Sequence, residues 1–267
     1  MYLFNLVKIL QGDDAEQSIN VLHCFSPSDA NRIYYGKYLK WTSQKSVQDV
    51  ASVRHLVQRD ITTEPNDFAK ESDGLVFVKT NWLLGEFFGR SSIDFSFAAG
   101  ALYLVRNPLD VAVSLARHIN TSIDSAIDFM AGDRSSFGGD SAVVVTGSWS
   151  GNVASWTQHS SCDVCVVRYE DLLNDADHWF TLITRHIFRG SIPTAHQIRR
   201  AVERCSFRNL EAQEQSDGYV DRPRIVERFF WEGRAGQWKD ALTRKQVDRI
   251  VDIHSEQMTR FGYLPPS

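Results

Sequence analysis

Three short runs of the chain are apolar at successive positions: Leu75-Val-Phe-Val78, Ala101-Leu-Tyr-Leu-Val105 and Val164-Cys-Val-Val167. Each is too short for a buried helix, rich in β-branched or aromatic side chains, and apolar on both faces. That pattern predicts strands of a parallel sheet covered by helices on either side. The stretches between them carry helical periodicity, as βαβ connections require. The clearest helix closes the chain. Val247, Ile250, Val251, His254, Met258 and Phe261 fall at i, i+3, i+4, i+7, i+11 and i+14, one apolar stripe. Thr243 is placed to cap it, Gln246 completes a capping box, and Pro265 and Pro266 follow its end. From about Phe129 to Gly147 the chain is rich in Gly, Ser and Asp, which predicts a long mobile loop, a candidate lid. No fixed-period repeat and no Pro- or Ser-rich linker divides the sequence, so residues 1–267 are expected as a single three-layer α/β domain.

The run with most chemistry is Tyr103-Leu-Val-Arg-Asn-Pro-Leu-Asp-Val-Ala-Val-Ser-Leu-Ala-Arg-His118. The strand ends at Val105, Asn107 is a good N-cap, and Pro108 suits the first helical position. Arg106 therefore stands at the carboxyl end of a strand beside a helix N-terminus, where open α/β sheets bind ligands. Ser114 lies on the helix that follows. A guanidinium, a hydroxyl and helix amides together suit a phosphate. The competing reading is an Arg106–Asp110 pair with Ser114 merely packing. Val166-Val-Arg-Tyr-Glu-Asp-Leu172 is a second strand end, with Tyr169 aimed at the same crevice or into the core. Phe229-Phe-Trp-Glu-Gly-Arg-Ala-Gly-Gln-Trp-Lys239 sets Gly233 and Gly236 around Arg234. Such a loop either brings backbone amides to an anion or simply turns before the last helix.

Charge and cysteine content narrow the field. Lys and Arg number 29 against 33 Asp and Glu, a net charge of −4. This argues against nucleic acid as a partner, which needs a basic surface, yet leaves room for a local basic pocket. No stretch approaches the ~20 apolar residues that span a bilayer. The apolar opening Met1–Leu10 lacks a basic start and a cleavage site, so no membrane association is expected and a cytoplasmic location is. Four cysteines make no disulfide framework. Cys162 and Cys165 form a C-x-x-C without a second pair, and read as small residues entering a strand rather than a redox or metal site.

Taken in order, these motifs resemble the sulfotransferases that use 3′-phosphoadenosine 5′-phosphosulfate. Arg106-Asn-Pro-Leu-Asp-x-x-x-Ser114 is similar to the family's 3′-phosphate motif. Ser148-Trp-Ser-Gly-Asn-Val-Ala-Ser-Trp156, Arg168-Tyr-Glu-Asp-Leu172, Ser206-Phe-Arg-Asn-Leu210 and Gly233-x-x-Gly-x-Trp238 follow in the expected sequence. The likeness runs from about residue 75 to 264. It implies a fold related to the P-loop nucleotide kinases and transfer of a sulfuryl group to a hydroxyl or amine of a small acceptor, with no metal. By that resemblance Arg106 and Ser114 hold the 3′-phosphate, Gly233 offers it an amide, and Tyr169, Ser206 and Phe207 lie by the adenine.

Three departures from the family qualify what it implies. Members open with a strand and a Pro-Lys-Ser/Ala-Gly-x-Thr-Trp loop around the 5′-phosphosulfate. Tyr2-Leu-Phe-Asn-Leu-Val-Lys-Ile-Leu10 resembles the helix after that loop. The expectation is a sheet short of this N-terminal strand, with Met1 an internal start and its neighbours' edges open. Members also show Lys-Thr-His after the second strand, with His as base. Here the residues are Lys79, Thr80 and Asn81. Lys79 remains for the leaving oxygen, but an amide accepts no proton near neutrality, and losing a base costs roughly 10²–10⁴ in rate. In the C-terminal loop, Trp231 and Glu232 replace Arg and Lys/Ser; Glu232 is repulsive toward a phosphate and Arg234 is the candidate replacement charge. The alternative function is an inactive or truncated member that at most binds an adenine 3′-phosphate nucleotide. A nucleotide kinase would need a Lys-Ser/Thr phosphate loop, which is not in the sequence. Trp82, Phe87 and Phe88 line the acceptor pocket or the core, and His118, Trp149 and Trp156 are expected as packing residues. The motifs specify no oligomeric state.

Overall fold

The computed structural model describes residues 1–13, 15–21, 28–40, 45–63, 75–138, 141–158, 163–188, 193–220, 222 and 226–266. Helices α1 (Tyr2–Leu10), α2 (Arg32–Tyr35) and α3 (Val47–Thr63) lead to a hairpin of β1 (Glu86–Phe87) and β2 (Arg90–Ser91). Strand β3 (Ala101–Val105) passes into α4 (Pro108–His118), then α5 (Ile123–Ala131), a second hairpin of β4 (Ser136–Phe137) and β5 (Val144–Val145), and α6 (Trp149–Thr157). Strand β6 (Val164–Arg168) runs directly into α7 (Tyr169–Asn174), followed by α8 (Ala176–Ile187), α9 (Ala195–Arg204) and α10 (Phe207–Asp217). Short α11 (Trp238–Ala241) and α12 (Arg244–Phe261) end the chain.

β3 and β6 pair in parallel, in register from Ala101 opposite Val164 to Val105 opposite Arg168. Both strands end at one edge, and both hand over to a helix there. Around them Leu109, Ala112, Ile127, Met130, Val153, Val247, Ile250 and Met258 form the largest core. The stripe of α12 supplies the last three, and Thr243 and Gln246 close the capping box as the sequence requires. A second core joins Tyr35, Val50, Val57, Ile61 and Trp82. Inside it Arg54 is buried against Asp29 at 2.5 Å, lies over the Trp82 ring at 4.5 Å and donates to the Ser92 carbonyl.

Two sequence expectations change. Leu75–Val78 is not a strand. An apolar run becomes one only when a neighbour takes up its backbone groups. Among the described residues only a bridge between Ser28 and Lys79 does so, beyond the run. The other edge of β3 likewise carries no strand among the described residues, and Leu102 and Leu104 remain 40% and 51% exposed. A cavity of about 2650 Å³ lies between the 75–82 segment and β3. The Phe129–Gly147 stretch, in turn, is not one long loop. Ser122 caps α5 by accepting from the Ser125 amide, Ile127 and Met130 bury one face of that helix, and the β4–β5 hairpin follows. Counting polar residues overlooked the apolar pair Val144 and Val145, which is buried.

Candidate functional site

α4 builds one wall of the site. Asn107 accepts from the Leu109 amide at 3.0 Å and starts the helix, with Pro108 in its first turn. Leu109, Ala112, Val113 and Ala116 then face the core. Val111, Ser114, Leu115 and His118, spaced i, i+3, i+4 and i+7, line the cavity instead. Arg106, Lys79 and Asn81 line the same cavity, Lys79 and Asn81 as the exposed residues of the half-buried 75–82 segment.

Arg106 does not pair with Asp110. Its Nη2 donates to the Arg234 carbonyl at 3.3 Å and its guanidinium lies 4.6 Å over the Tyr169 ring. Its Nε is buried with no acceptor among the described residues. Burial raises the Tyr169 phenol above its ordinary pKa, opposed by the guanidinium above it. Asp110 is 1% exposed and turned the other way: its carboxylate accepts from the Gly236 amide at 2.7 Å and the Trp238 amide at 3.0 Å. The first turn of α4 therefore anchors the C-terminal loop. Glu170 braces the same corner, accepting from the Asn107 amide at 3.0 Å and the Tyr263 hydroxyl at 2.7 Å.

The C-terminal loop closes over this corner. Gly233 has φ of +59°, and a Cβ there would fall 2.1 Å from the Phe207 ring, so the loop backbone rests on that aromatic face. Ser206 caps α10 by accepting from the Asn209 amide at 3.4 Å. Glu214 accepts from the Phe229 and Phe230 amides at 2.7 and 2.8 Å and sets the loop's approach. Arg234 gives its guanidinium to Glu232 at 2.7 Å and Asp240 at 3.2 Å. Two carboxylates already balance that charge, and Glu232 is itself compensated. Trp231 is half exposed, with Arg117 at 3.6 Å and Arg228 at 4.8 Å from its ring.

Sequence reasoning missed two features. Arg117 reaches the loop from one turn beyond Ser114. His118, read as a packing residue, is exposed and faces the cavity. Its i+4 spacing from Ser114 was the available signal. Trp156 is buried and donates to the Trp82 carbonyl at 2.8 Å, and Trp149 packs against the main core, as expected. Trp82 is core, Phe87 packs on it and Phe88 is exposed. The Cys162 half of the C-x-x-C lies outside the described residues.

The family model described as "Sulfotransferase domain" matches residues 95–262, which include α4, the β6–α7 corner and the C-terminal loop. The chain belongs to the sulfotransferase family. A curated relative, the 3-beta-hydroxysteroid sulfotransferase of Cavia porcellus, is 26% identical over 184 residues. The match takes in 64% of this chain and spans 59% of that relative's length. Among solved structures, a mouse sulfotransferase complexed with PAP superposes with a TM-score of 0.52 at 20% identity, over 73% of this chain and 71% of that one. Retinol dehydratase in complex with androsterone and inactive cofactor PAP gives 0.57 at 16% identity, over 96% and 76%. These likenesses establish the sulfotransferase fold. No helix among the described residues is long and apolar enough to cross a membrane, and no cluster among them of three or more His, Cys, Asp or Glu suits a metal.

Proposed function

We propose that the chain binds 3′-phosphoadenosine 5′-phosphosulfate and transfers its sulfuryl group to a hydroxyl or amine of a small acceptor. One observation carries the reading. Among the described residues the Arg106 Nε is buried without a partner and Arg106 forms no ion pair, and Ser114 opens onto the same cavity. A buried N–H without an acceptor is costly, and an anion at the half-exposed guanidinium would complete it. The 3′-phosphate fits that vacancy, with the Ser114 hydroxyl and the Gly233 amide as further donors. Phe207 and Tyr169 offer faces beside the adenine, and Ser206 positions Phe207 through its cap. Arg234 is engaged by Glu232 and Asp240, so Arg117 is the better supplementary cation.

The cavity exceeds the ~300–1,000 Å³ of an ordinary small-ligand pocket. Its roughly 2650 Å³ include the open gap beside β3, and Arg106, Ser114, Lys79 and His118 line it together. Aromatic walls, among them Phe77, Phe129 and Trp149, suit a largely apolar acceptor. The nucleotide is a co-substrate, and no metal enters this scheme. In line transfer needs positive charge at the bridging oxygen, which Lys79 supplies from the facing segment. A second reading, nucleotide binding without transfer, is favoured by Asn81 at the position of the family's base.

Two assays separate them. Calorimetry with adenosine 3′,5′-bisphosphate is expected to show stoichiometric binding. Sulfate release onto phenol and hydroxysteroid acceptors then reports transfer. Binding without transfer supports the second reading, and no binding overturns both.

A further inference from the structure

We propose that His118 is the general base of this chain, taking the place that Asn81 leaves empty; the assignment rests on the transfer reading above. α4 turns one stripe to the cavity, and Ser114 and His118 occupy successive turns of it. If Ser114 holds the nucleotide, His118 stands about one helical turn, roughly 5–6 Å, farther along the same wall. That places it beyond the nucleotide on a cavity that Lys79 and Asn81 also line. Two histidines among the described residues line the cavity, His118 and His186; His118 is the one on α4, on the same face as Ser114, whereas His186 lies by Gly100 at the start of β3.

Its surroundings suit a base. Three elements supply its neighbours. From the 75–82 segment comes Lys79, the charged group that faces it. From the C-terminal loop comes the Phe229 ring, edge-on at 6.3 Å. From its own helix comes Arg117, whose guanidinium is drawn onto Trp231. Partial desolvation at the cavity wall and then the Lys79 charge lower its pKa from the ordinary histidine value, which favours the neutral ring that a base needs. The same ammonium that disfavours a second positive charge stays available for the leaving oxygen.

The step balances. The acceptor hydroxyl oxygen attacks the sulfur of the donor as its proton passes to the His118 imidazole. The new O–S bond forms, the S–O bond to the 5′-phosphate breaks, and its electron pair stays on the phosphate oxygen. His118 then returns its proton to solvent. Asn81 is left to orient the acceptor through its amide.

The test uses the full chain, with 2-naphthol as acceptor, and compares wild type with His118→Ala and His118→Asn. The expected result is a kcat loss of roughly 10²–10⁴-fold in both variants with KM for the acceptor nearly unchanged. Added imidazole partly restores His118→Ala. Binding of adenosine 3′,5′-bisphosphate stays at the wild-type level in both variants, which excludes misfolding. In parallel, the His118 ring resonance, assigned by its loss in His118→Asn, titrates below the ordinary histidine value and moves up in Lys79→Met. Retention of kcat within threefold in His118→Ala overturns the assignment while leaving transfer intact. Absence of turnover in a wild type that binds the bisphosphate also overturns it and leaves nucleotide binding standing. Failure to bind the bisphosphate overturns the transfer reading, and this assignment with it.

Discussion

At the residue scale the account turns on which charges are spent and which are free. Arg234 is spent on Glu232 and Asp240, whereas among the described residues Arg106 meets a carbonyl and an aromatic face and no carboxylate in an ion pair. Gly233 is fixed by sterics as well as by backbone angle. In Gly233→Ala the new methyl group drives into the Phe207 ring and the residue keeps a strained positive φ. Nucleotide affinity is expected to fall at least tenfold, read by calorimetry, while Gly236→Ala, with open space at its Cβ, costs less. Much of this scale was legible from sequence. The placement of Arg106 and Ser114 on one cavity and the positive φ of Gly233 were readable because turn and cap residues fix their backbone positions. The pairing of Arg234 was not legible, since a flexible side chain takes whichever carboxylate the loop brings near. His118 was misread because helical periodicity says which residues share a face, not what that face meets.

At the element scale, the site depends on two carboxylates that never touch the cavity. Asp110 ties the start of α4 to the Gly236 and Trp238 amides, and Glu170 ties it to Tyr263. Asp110→Asn places an amide N–H against one of those backbone donors. The expected loss is about 1–3 kcal/mol of stability by urea unfolding, together with weaker nucleotide binding. A second element-level joint is the buried Asp29–Arg54 pair, which holds the segment before α2 against α3. Asp29→Ala strands the buried guanidinium and is expected to cost about 3–5 kcal/mol in the same measurement. The ends of α12 and the β3–α4 handover were readable because caps and prolines leave local signatures. Leu75–Val78 was not, because a strand needs a partner and sequence pattern alone names none.

For the whole molecule, the sheet's carboxyl edge, the cavity and the C-terminal loop meet at one corner, and the helices around it supply stability. His254 shows how that stability depends on pH. It is buried beneath Trp149, with Nδ1 2.9 Å from the Ser150 hydroxyl, and burial pushes its pKa down to about 4. The unfolded chain binds this proton more readily, since its histidine titrates near ~6.5. The contribution is therefore complete above pH ~6.5 and falls away as pH drops toward 4. Urea midpoints are expected to decline across that window in wild type and to decline less in His254→Gln. The fold class was legible because several separate motifs agreed in order. The size of the cavity was not, because it is set by how segments distant in sequence come together.

The most direct measurement compares two nucleotides by calorimetry, adenosine 3′,5′-bisphosphate and adenosine 5′-monophosphate, on wild type and Arg106→Ala. The account predicts that wild type prefers the 3′-phosphorylated nucleotide by at least tenfold and that Arg106→Ala abolishes the preference while weakly binding both. Equal affinities in wild type, or a preference that survives the loss of Arg106, would contradict it.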